Sequence, residues 1–472
     1  MSKHAFLNFT IVSALRASLP MLFAAGIAHA QSNPADSSIA GLYTLLARID
    51  SHPMVMSEQA NIEAARHRIA QKSALANPML MLGIENLPTN SFRFSEEPMT
   101  AKMIGASQEL PWPGKLKTEG EIASQDTLTT EDDLDERRNM LARDAKLAYF
   151  DMYHILRIIA VYDFHQRAAD ELLRLAESKL PEGKATQSQV LNLQLERADI
   201  EDQIIENETM LRESHADLEQ ATGASIDAGG IGDDAHGEVS ITPRLGLPAF
   251  SYSLAALDSI ALGANPRLRK LRAEAGQEQL RYQRADLDKY PDFQVSLQYM
   301  QRDALSASSP MNPANYPGER TVGVIPMPMT QSDMVSVGVS IELPLNYNNQ
   351  RVEALGEAQA MRTGKQADER AVELELHAEI KSNLAKLRGL QKEYVLLHDE
   401  IYPAAKAAVE TSIANYTYDK TSIDAAVRAQ LELLHREHDR YRLEAEYNKT
   451  IAAMEFLAGQ TLVTYTSIND WK

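Results

Sequence analysis

Four stretches of the chain alternate apolar and polar residues with a period of two, which is typical of β-strands with one apolar face. The clearest is 335–343, and 293–301 and 79–86 follow the same pattern. In 103–110 the pattern is weaker because Gln108 interrupts the apolar face. Each stretch has about nine residues, the length of a tilted strand that crosses a membrane. A water-soluble sheet with one buried face would show the same alternation, but the flanking helices are too long to cover it compactly.

The segments that follow each pair of strands have the composition of very long helices. The stretch from Lys115 to Leu180 has no Pro and a single Gly, Gly120. At about 1.5 Å per residue, a helix of this length reaches about 100 Å, whereas the average helix has about 12 residues. The partner from Thr186 to Thr222 shows interrupted heptads, which favours sideways packing in a barrel or bundle over a two-stranded coiled coil. In the second long helix, Pro403 predicts a kink or a local irregularity.

The chain contains two copies of one pattern. Pro53 and Pro78 flank a charged helical segment, and Pro266 and Pro291 flank a second one at the same spacing of 25 residues. In each copy the predicted order is helix, strand, strand, long helix, turn and helix. The sequence therefore predicts a mainly α-helical fold with a small β part, made of two tandem repeats. Further matched positions are Pro111 with Pro344, Lys184 with Lys420, and Gly223 with Gly459.

The repeat fixes the predicted domain boundaries. The first repeat covers 31–222 and the second covers 250–462. A Gly-rich linker at 223–249 joins the repeats, and a short tail at 463–472 follows the second one. The turns between the paired long helices, which we call the hairpin tips, are predicted at 180–186 and 416–423.

Residues 1–30 have the features of a signal peptide. A weakly basic start precedes a small and apolar run, and the sequence Ala28-His29-Ala30 supplies an A-x-A cleavage site. After Ala30 no stretch reaches the roughly 18 apolar residues of a membrane helix, so any crossing must use strands. Four strands are too few to close a membrane barrel, for which about eight is the smallest number. Three chains would supply twelve strands.

Composition and charge exclude several classes of function. Lys and Arg number 47 against 66 Asp and Glu, a formal charge of −19, so the chain is not expected to bind nucleic acid. The absence of Cys excludes disulfides, cysteine zinc sites, thiol nucleophiles and an acylated cysteine. No catalytic signature is present, and we predict neither an enzyme nor a cofactor.

Two residue types invite a metal hypothesis. Thioethers are soft ligands suited to Cu(I) or Ag(I), and the strand alternation predicts that Met81 and Met103 face the interior of a barrel. The alternative is that Met fills gaps and lines adaptable surfaces. His435, Glu437 and His438 lack the spacing of a zinc H-E-x-x-H motif, so no metal site is predicted there. The methionines near the strands are Met79, Met81, Met99, Met103, Met327, Met329 and Met334.

The order of these motifs resembles the TolC-type outer-membrane efflux proteins, the channel components of tripartite exporters in Gram-negative bacteria. The resemblance covers roughly residues 40–462 in two copies. It is carried by strand-to-helix corners at Pro111 and Pro344, by helix ends at Gly223 and Gly459, and by the hairpin tips. It implies a homotrimer in outer-membrane lipid, in which a twelve-stranded β-barrel continues into a periplasmic α-helical barrel.

The resemblance assigns the hairpin tips to gating and to docking of a periplasmic adaptor (membrane fusion) protein, which links the channel to an inner-membrane RND-type pump. The chain departs from the usual family pattern at both tips. Asp419 stands where the family usually has Gly, and Gln189 and Ala425 stand where an acid commonly follows six positions later. The sequence therefore does not predict the residues of a gate built from acidic rings. The tip residues that we single out are Leu180, Gly183, Lys184, Thr186, Tyr416, Asp419, Lys420 and Asp424.

One block, residues 77–115, resembles more narrowly the outer-membrane components that accompany heavy-metal RND pumps. The predicted function is a passive export conduit, with heavy-metal cations as the preferred cargo. An exporter of drugs or other organic solutes would have the same fold. A hypothesis of another class is a structural or adaptor coiled coil of the cell envelope that never enters a membrane.

Overall fold

The computed structural model describes residues 36–223, 246–308, 327–342, 347–418 and 420–464. The described chain is mainly helical with one small antiparallel sheet, as predicted. The predicted signal peptide, nearly all of the linker, most of the tail, Pro344 and Asp419 lie outside the described residues. None of the described helices is long and apolar enough to cross a membrane.

The helices follow the predicted order in each half of the chain. In the first half, a short 3₁₀ turn, Ile49–Ser51, separates α1 from α2, and the rod α3 is the longest described element. The helices are α1 (Asp36–Arg48), α2 (Pro53–Ser73), α3 (Lys115–Lys179), α4 (Gln187–Thr222), α5 (Leu254–Ala264), α6 (Pro266–Leu287), α7 (Tyr347–Leu396), α8 (Tyr402–Thr417) and α9 (Ile423–Ala458).

Local signals explain where several of these helices begin and end. α2 and α6 each start with a proline, whose missing N–H costs nothing in the first turn. α4 starts with a capping box between Thr186 and Gln189 and ends at Gly223, which has a φ of 67°. A short π-helix, Leu397–Ile401, joins α7 to α8 just before Pro403, so the predicted irregularity is present.

The four strands form one antiparallel sheet in the order β1-β2-β3-β4. They are β1 (Met79–Glu85), β2 (Ala101–Leu110), β3 (Phe293–Gln301) and β4 (Met334–Ile341). The first repeat joins the second through the β2–β3 pair, in which Ile104 stands opposite Tyr299. β2 begins two residues before the predicted start because Ala101 and Lys102 pair with the end of β1.

The apolar core lies among the helices. The largest cluster packs α5, α6, α7 and α9 around Leu268, Ile380 and Ile451, which are almost fully buried. A second cluster, which includes Phe150 and Leu218, packs α1, α3, α4 and α9 together. α3 thus contacts helices of both repeats. The sheet lies beyond one end of the rods and takes no part in the apolar clusters of the described residues.

Candidate functional site

The sheet exposes its apolar face and partly covers its polar face. On the apolar face, Leu82 of β1 is 72% exposed and Val337 of β4 is 71% exposed. On the opposite, polar face, Gly105 and Ser107 of β2 are buried. A sheet of a water-soluble protein has the reverse arrangement, with its apolar face against a core. An exposed apolar surface of this kind requires a non-aqueous cover. The exposed apolar side chains are Leu80, Leu82, Ile84, Ile104, Val295, Leu297, Tyr299, Val335, Val337, Val339 and Ile341.

Met81 and Met103 lie on the polar face, which also carries Ser107, Gln298 and Ser336 in neighbouring positions. Both methionine side chains are half-buried. The register thus places both methionines on the side of the sheet away from the apolar surface. That this side lines the interior of a barrel stays a prediction.

The first corner is the link from β2 to α3, at Pro111. Here Asp292, the residue before β3, accepts hydrogen bonds from Trp112 N at 2.7 Å and from Lys115 Nζ at 2.9 Å. Lys115 is only 5% exposed and also lies 3.2 Å from Asp288. The Asp292 carboxylate therefore connects the first corner to the second repeat. The sequence had no signal for this contact, because the partners are far apart in the chain.

An aromatic cluster stands at the same corner. The Trp112 ring stacks on Tyr290 with a centroid distance of 4.6 Å and on Phe293 at 5.8 Å. The cluster marks the boundary between the apolar sheet and the charged helices. Trp and Tyr are enriched at such a position in membrane proteins, because their rings are amphipathic.

The first hairpin tip is a tight turn between α3 and α4. Gly183 has a φ of 67°, a left-handed conformation that favours glycine, and its N–H donates to Leu180 O. Lys184 forms an exposed ion pair with Glu182 at 3.2 Å. The Thr186 hydroxyl caps α4. The tip is thus a well-formed turn whose charged side chains reach solvent.

The two tips meet in the structure. Lys179 Nζ donates to Tyr416 O at 2.9 Å and lies 4.4 Å from the centre of the Tyr416 ring. Gln189 Nε2 donates to Asp424 Oδ2 at 3.1 Å. Tyr416 and Asp424 are among the tip residues predicted from the sequence, but Lys179 is not, because nothing in its own repeat indicates a partner. Lys420 N donates to Asn415 O and so closes the second turn.

Glu437 and His438 of the His435, Glu437 and His438 motif serve helix packing, whereas His435 is exposed. Glu437 accepts a hydrogen bond from His165 Nε2 at 2.8 Å and one from Tyr402 Oη at 3.2 Å. The His438 ring packs edge-on against His154, and burial lowers the pKa of both imidazoles, to about 4 for His154. Within the ranges that the structure describes, no group of three or more His, Asp or Glu side chains could hold a metal ion.

Comparisons with known proteins agree with this geometry. Residues 47–224 match the family described as outer membrane efflux protein. Among solved structures, VceC from Vibrio cholerae is 15% identical, with a TM-score of 0.69 over 89% of this chain and 96% of that one. CmeC of Campylobacter jejuni, an outer membrane channel, is 12% identical, with a TM-score of 0.69 over 93% and 88%.

A third similar structure is that of CusC, a protein that changes conformation as it folds and forms a transmembrane channel. It is 15% identical, with a TM-score of 0.68 over 90% of this chain and 92% of that one. No curated protein sequence matches the chain. At these identities the solved structures establish the fold, which is that of the TolC-type channels.

Proposed function

We propose that three copies of this chain form a conduit through the outer membrane and across the periplasm of a Gram-negative bacterium, because residues 47–224 match the outer membrane efflux protein family and the fold is that of the TolC-type channels. The sheets supply the membrane part and the helices supply the periplasmic part. The conduit does no chemistry, and substrates move through it passively. It acts as the channel of a tripartite efflux system.

The observation that carries this proposal is the exposed apolar face of the sheet. Side chains such as Leu82 and Val337 lose their unfavourable contact with water only if lipid covers them. At the helical end of the sheet, the Trp112 cluster stands where the membrane interface would lie. A coiled coil that stays in the periplasm would leave this surface in water.

The edges of the sheet support an assembly of several copies. β1 and β4 each pair on one side only among the described strands. Within lipid, an unpaired edge leaves backbone groups without hydrogen bonds, so the edges must meet those of other copies. Three copies reach twelve strands, above the minimum for a closed barrel.

Heavy-metal cations are the cargo that we propose. The chain has 66 acidic against 47 basic residues, several methionines lie near the strands, and residues 77–115 resemble the channels of heavy-metal systems. An acidic conduit favours cations, although its pump sets much of the selectivity. Drugs or other organic solutes could pass through the same conduit, and they are the competing cargo.

The membrane assignment predicts how the protein fractionates. We expect it in the sarkosyl-insoluble outer-membrane fraction, with electrophoretic migration that changes on heating, because membrane barrels resist detergent when folded. An outer-membrane porin and a soluble periplasmic protein serve as the two reference markers. Recovery with the soluble periplasm would overturn the conduit and favour the structural coiled coil.

The cargo assignment predicts the phenotype of a gene deletion. Deletion should increase sensitivity to copper or silver more than to detergents and dyes, and the gene in trans should restore tolerance. Growth across a panel of copper, silver, zinc, cobalt, cadmium, detergents and dyes is the measurement. Unchanged metal tolerance with greater dye sensitivity would replace the metal cargo by organic solutes and leave the conduit intact.

The hairpin tips are the proposed site of adaptor docking and gating, at the end of the helices far from the sheet. A side chain at Gly183 would point into open space, so its main cost is the strain of the positive φ, about 1–2 kcal/mol. We therefore expect Gly183→Trp to reduce export while trimers remain intact. Lys184→Glu with Lys420→Glu should do the same by reversing exposed charges.

Cross-linking to the adaptor, export assays and native electrophoresis of the trimer measure these effects. Lys392→Glu, which reverses an exposed charge on α7, is the matched control. Full export by the tip variants, or loss of their trimers, would show that the tips do not have this role.

A further inference from the structure

We propose that Met103, Met300 and Met334 form a binding site for a soft monovalent cation, Cu(I) or Ag(I), through their thioether sulfurs. The inference rests on the proposed conduit, because it needs the polar face of the sheet to line the path. We call these three residues the methionine row.

The register of the sheet creates the row. Met103 of β2 stands directly opposite Met300 of β3, and Met300 stands directly opposite Met334 of β4. Side chains at directly opposite positions project from the same face, with Cβ atoms about 5 Å apart. Three thioethers therefore stand side by side on three adjacent strands. The sequence does not reveal the row, because it spans two repeats and the alternation within one strand does not show which residue of the next strand stands opposite.

The side chains have room to adjust to an ion. Gly83 lies opposite Met103 on β1, and a Cβ at this glycine would lie 3.1 Å from the terminal methyl of Met103. The methyl group thus occupies the space that a larger residue would fill. An unbranched thioether with three rotatable bonds can turn from Gly83 towards Met300. Met103 and Met300 are half-buried, and Met334 is 45% exposed, so solutes can reach the row.

On the side towards the helices the neighbours of the row are neutral, whereas on the other side Glu85 lies on the same face opposite Ala101 and Arg302 follows the end of β3. On the side towards the helices, the next row is Met81, Gly105, Gln298 and Ser336. Mg²⁺ and Ca²⁺ require oxygen ligands, usually carboxylates, whereas thioethers select Cu(I) and Ag(I). The row therefore discriminates by ligand type, and Met81 provides an additional thioether close by.

The row lies where an ion that moves along the conduit would pass. It lies at the end of the sheet far from the helices, close to the ends of strands β2, β3 and β4. An ion that enters from the helical end would meet it late in its path. Conduction requires that such a site release its ion readily, so we expect exchangeable binding of modest affinity.

Titration of the purified full-length protein in detergent with silver nitrate, in chloride-free buffer, tests the site. Bound silver is measured after rapid separation, and methyl resonances of ¹³C-labelled Met identify the ligands. We expect resonances of the row to shift, and the triple variant M103L/M300L/M334L to bind silver at least tenfold more weakly. The control M54L/M56L/M361L replaces three exposed helix methionines and should bind as the natural protein does.

Equal silver affinity in both triple variants would overturn the site. If the row variant does not assemble, two other measurements decide the question. One is silver binding by M300L, which lacks only the central ligand. The other is X-ray absorption at the silver edge of the natural protein. Sulfur neighbours support the site, and oxygen or nitrogen neighbours alone overturn it. Conductance in planar bilayers tests the conduit separately from the metal site. A row variant that conducts normally supports the conduit, whether or not the variant binds silver.

Discussion

Replacing Val337 by Arg is expected to prevent assembly of the protein in the outer membrane. Val337 lies in the middle of β4, opposite Leu297, and is 71% exposed on the apolar face. An Arg near the middle of a bilayer costs about 2–4 kcal/mol, and each copy in an assembly would add this cost. Outer-membrane fractionation and the heat-dependent shift in migration measure the loss.

The adjacent position supplies the control. Ser336 lies on the same strand but on the polar face, beside Gln298. Ser336→Arg should assemble normally, because its guanidinium would remain in water. If Ser336→Arg abolished assembly and Val337→Arg did not, the two faces of the sheet would be the reverse of our assignment.

The second large effect is expected from Asp292→Ala at the first corner. The substitution removes the acceptor of Trp112 N and leaves the buried Lys115 ammonium with Asp288 alone. A buried charge that loses its partner costs several kcal/mol, and because Asp288 remains we expect a loss of roughly 3 kcal/mol. Guanidinium unfolding followed by circular dichroism, with the temperature of the electrophoretic shift, measures it.

Two variants test whether the effect comes from this contact. Asp292→Asn keeps an oxygen acceptor for Trp112 but removes the charge, so it should fall between the natural protein and Asp292→Ala. Asp303→Ala breaks the more exposed pair with Lys102, for which a loss below about 1 kcal/mol is expected. Equal effects of Asp292→Ala and Asp303→Ala would exclude a special role for the corner.

The sequence could predict the elements because periodicity reports the faces of a single strand or helix. The absence of Pro after Lys115 predicted a rod, and α3 is that rod. Alternation likewise predicted the strands, although the exact start of β2 depended on its pairing with β1. These properties are local, so they can be read from a short stretch of sequence.

The contacts between repeats could not be predicted in the same way. Gln189 binds Asp424 and His165 binds Glu437 across more than 200 residues, and no periodicity specifies which helix faces another. The same limit applies to the strands, where faces were predictable but the alignment of Met103 with Met300 was not. Partners of this kind depend on the register that the whole fold imposes.

The order of the strands determines how copies of the chain can associate. One outer edge of the sheet, β1, belongs to the first repeat, and the other, β4, belongs to the second. The two edges are different surfaces, so in the proposed assembly neighbouring copies would meet head-to-tail, and such a contact can close into a ring or continue as an open filament. Curvature of the sheet therefore has to set the number of copies. A change that flattened β2 against β3 would not weaken any single contact between copies, yet it would convert a closed ring into a growing polymer.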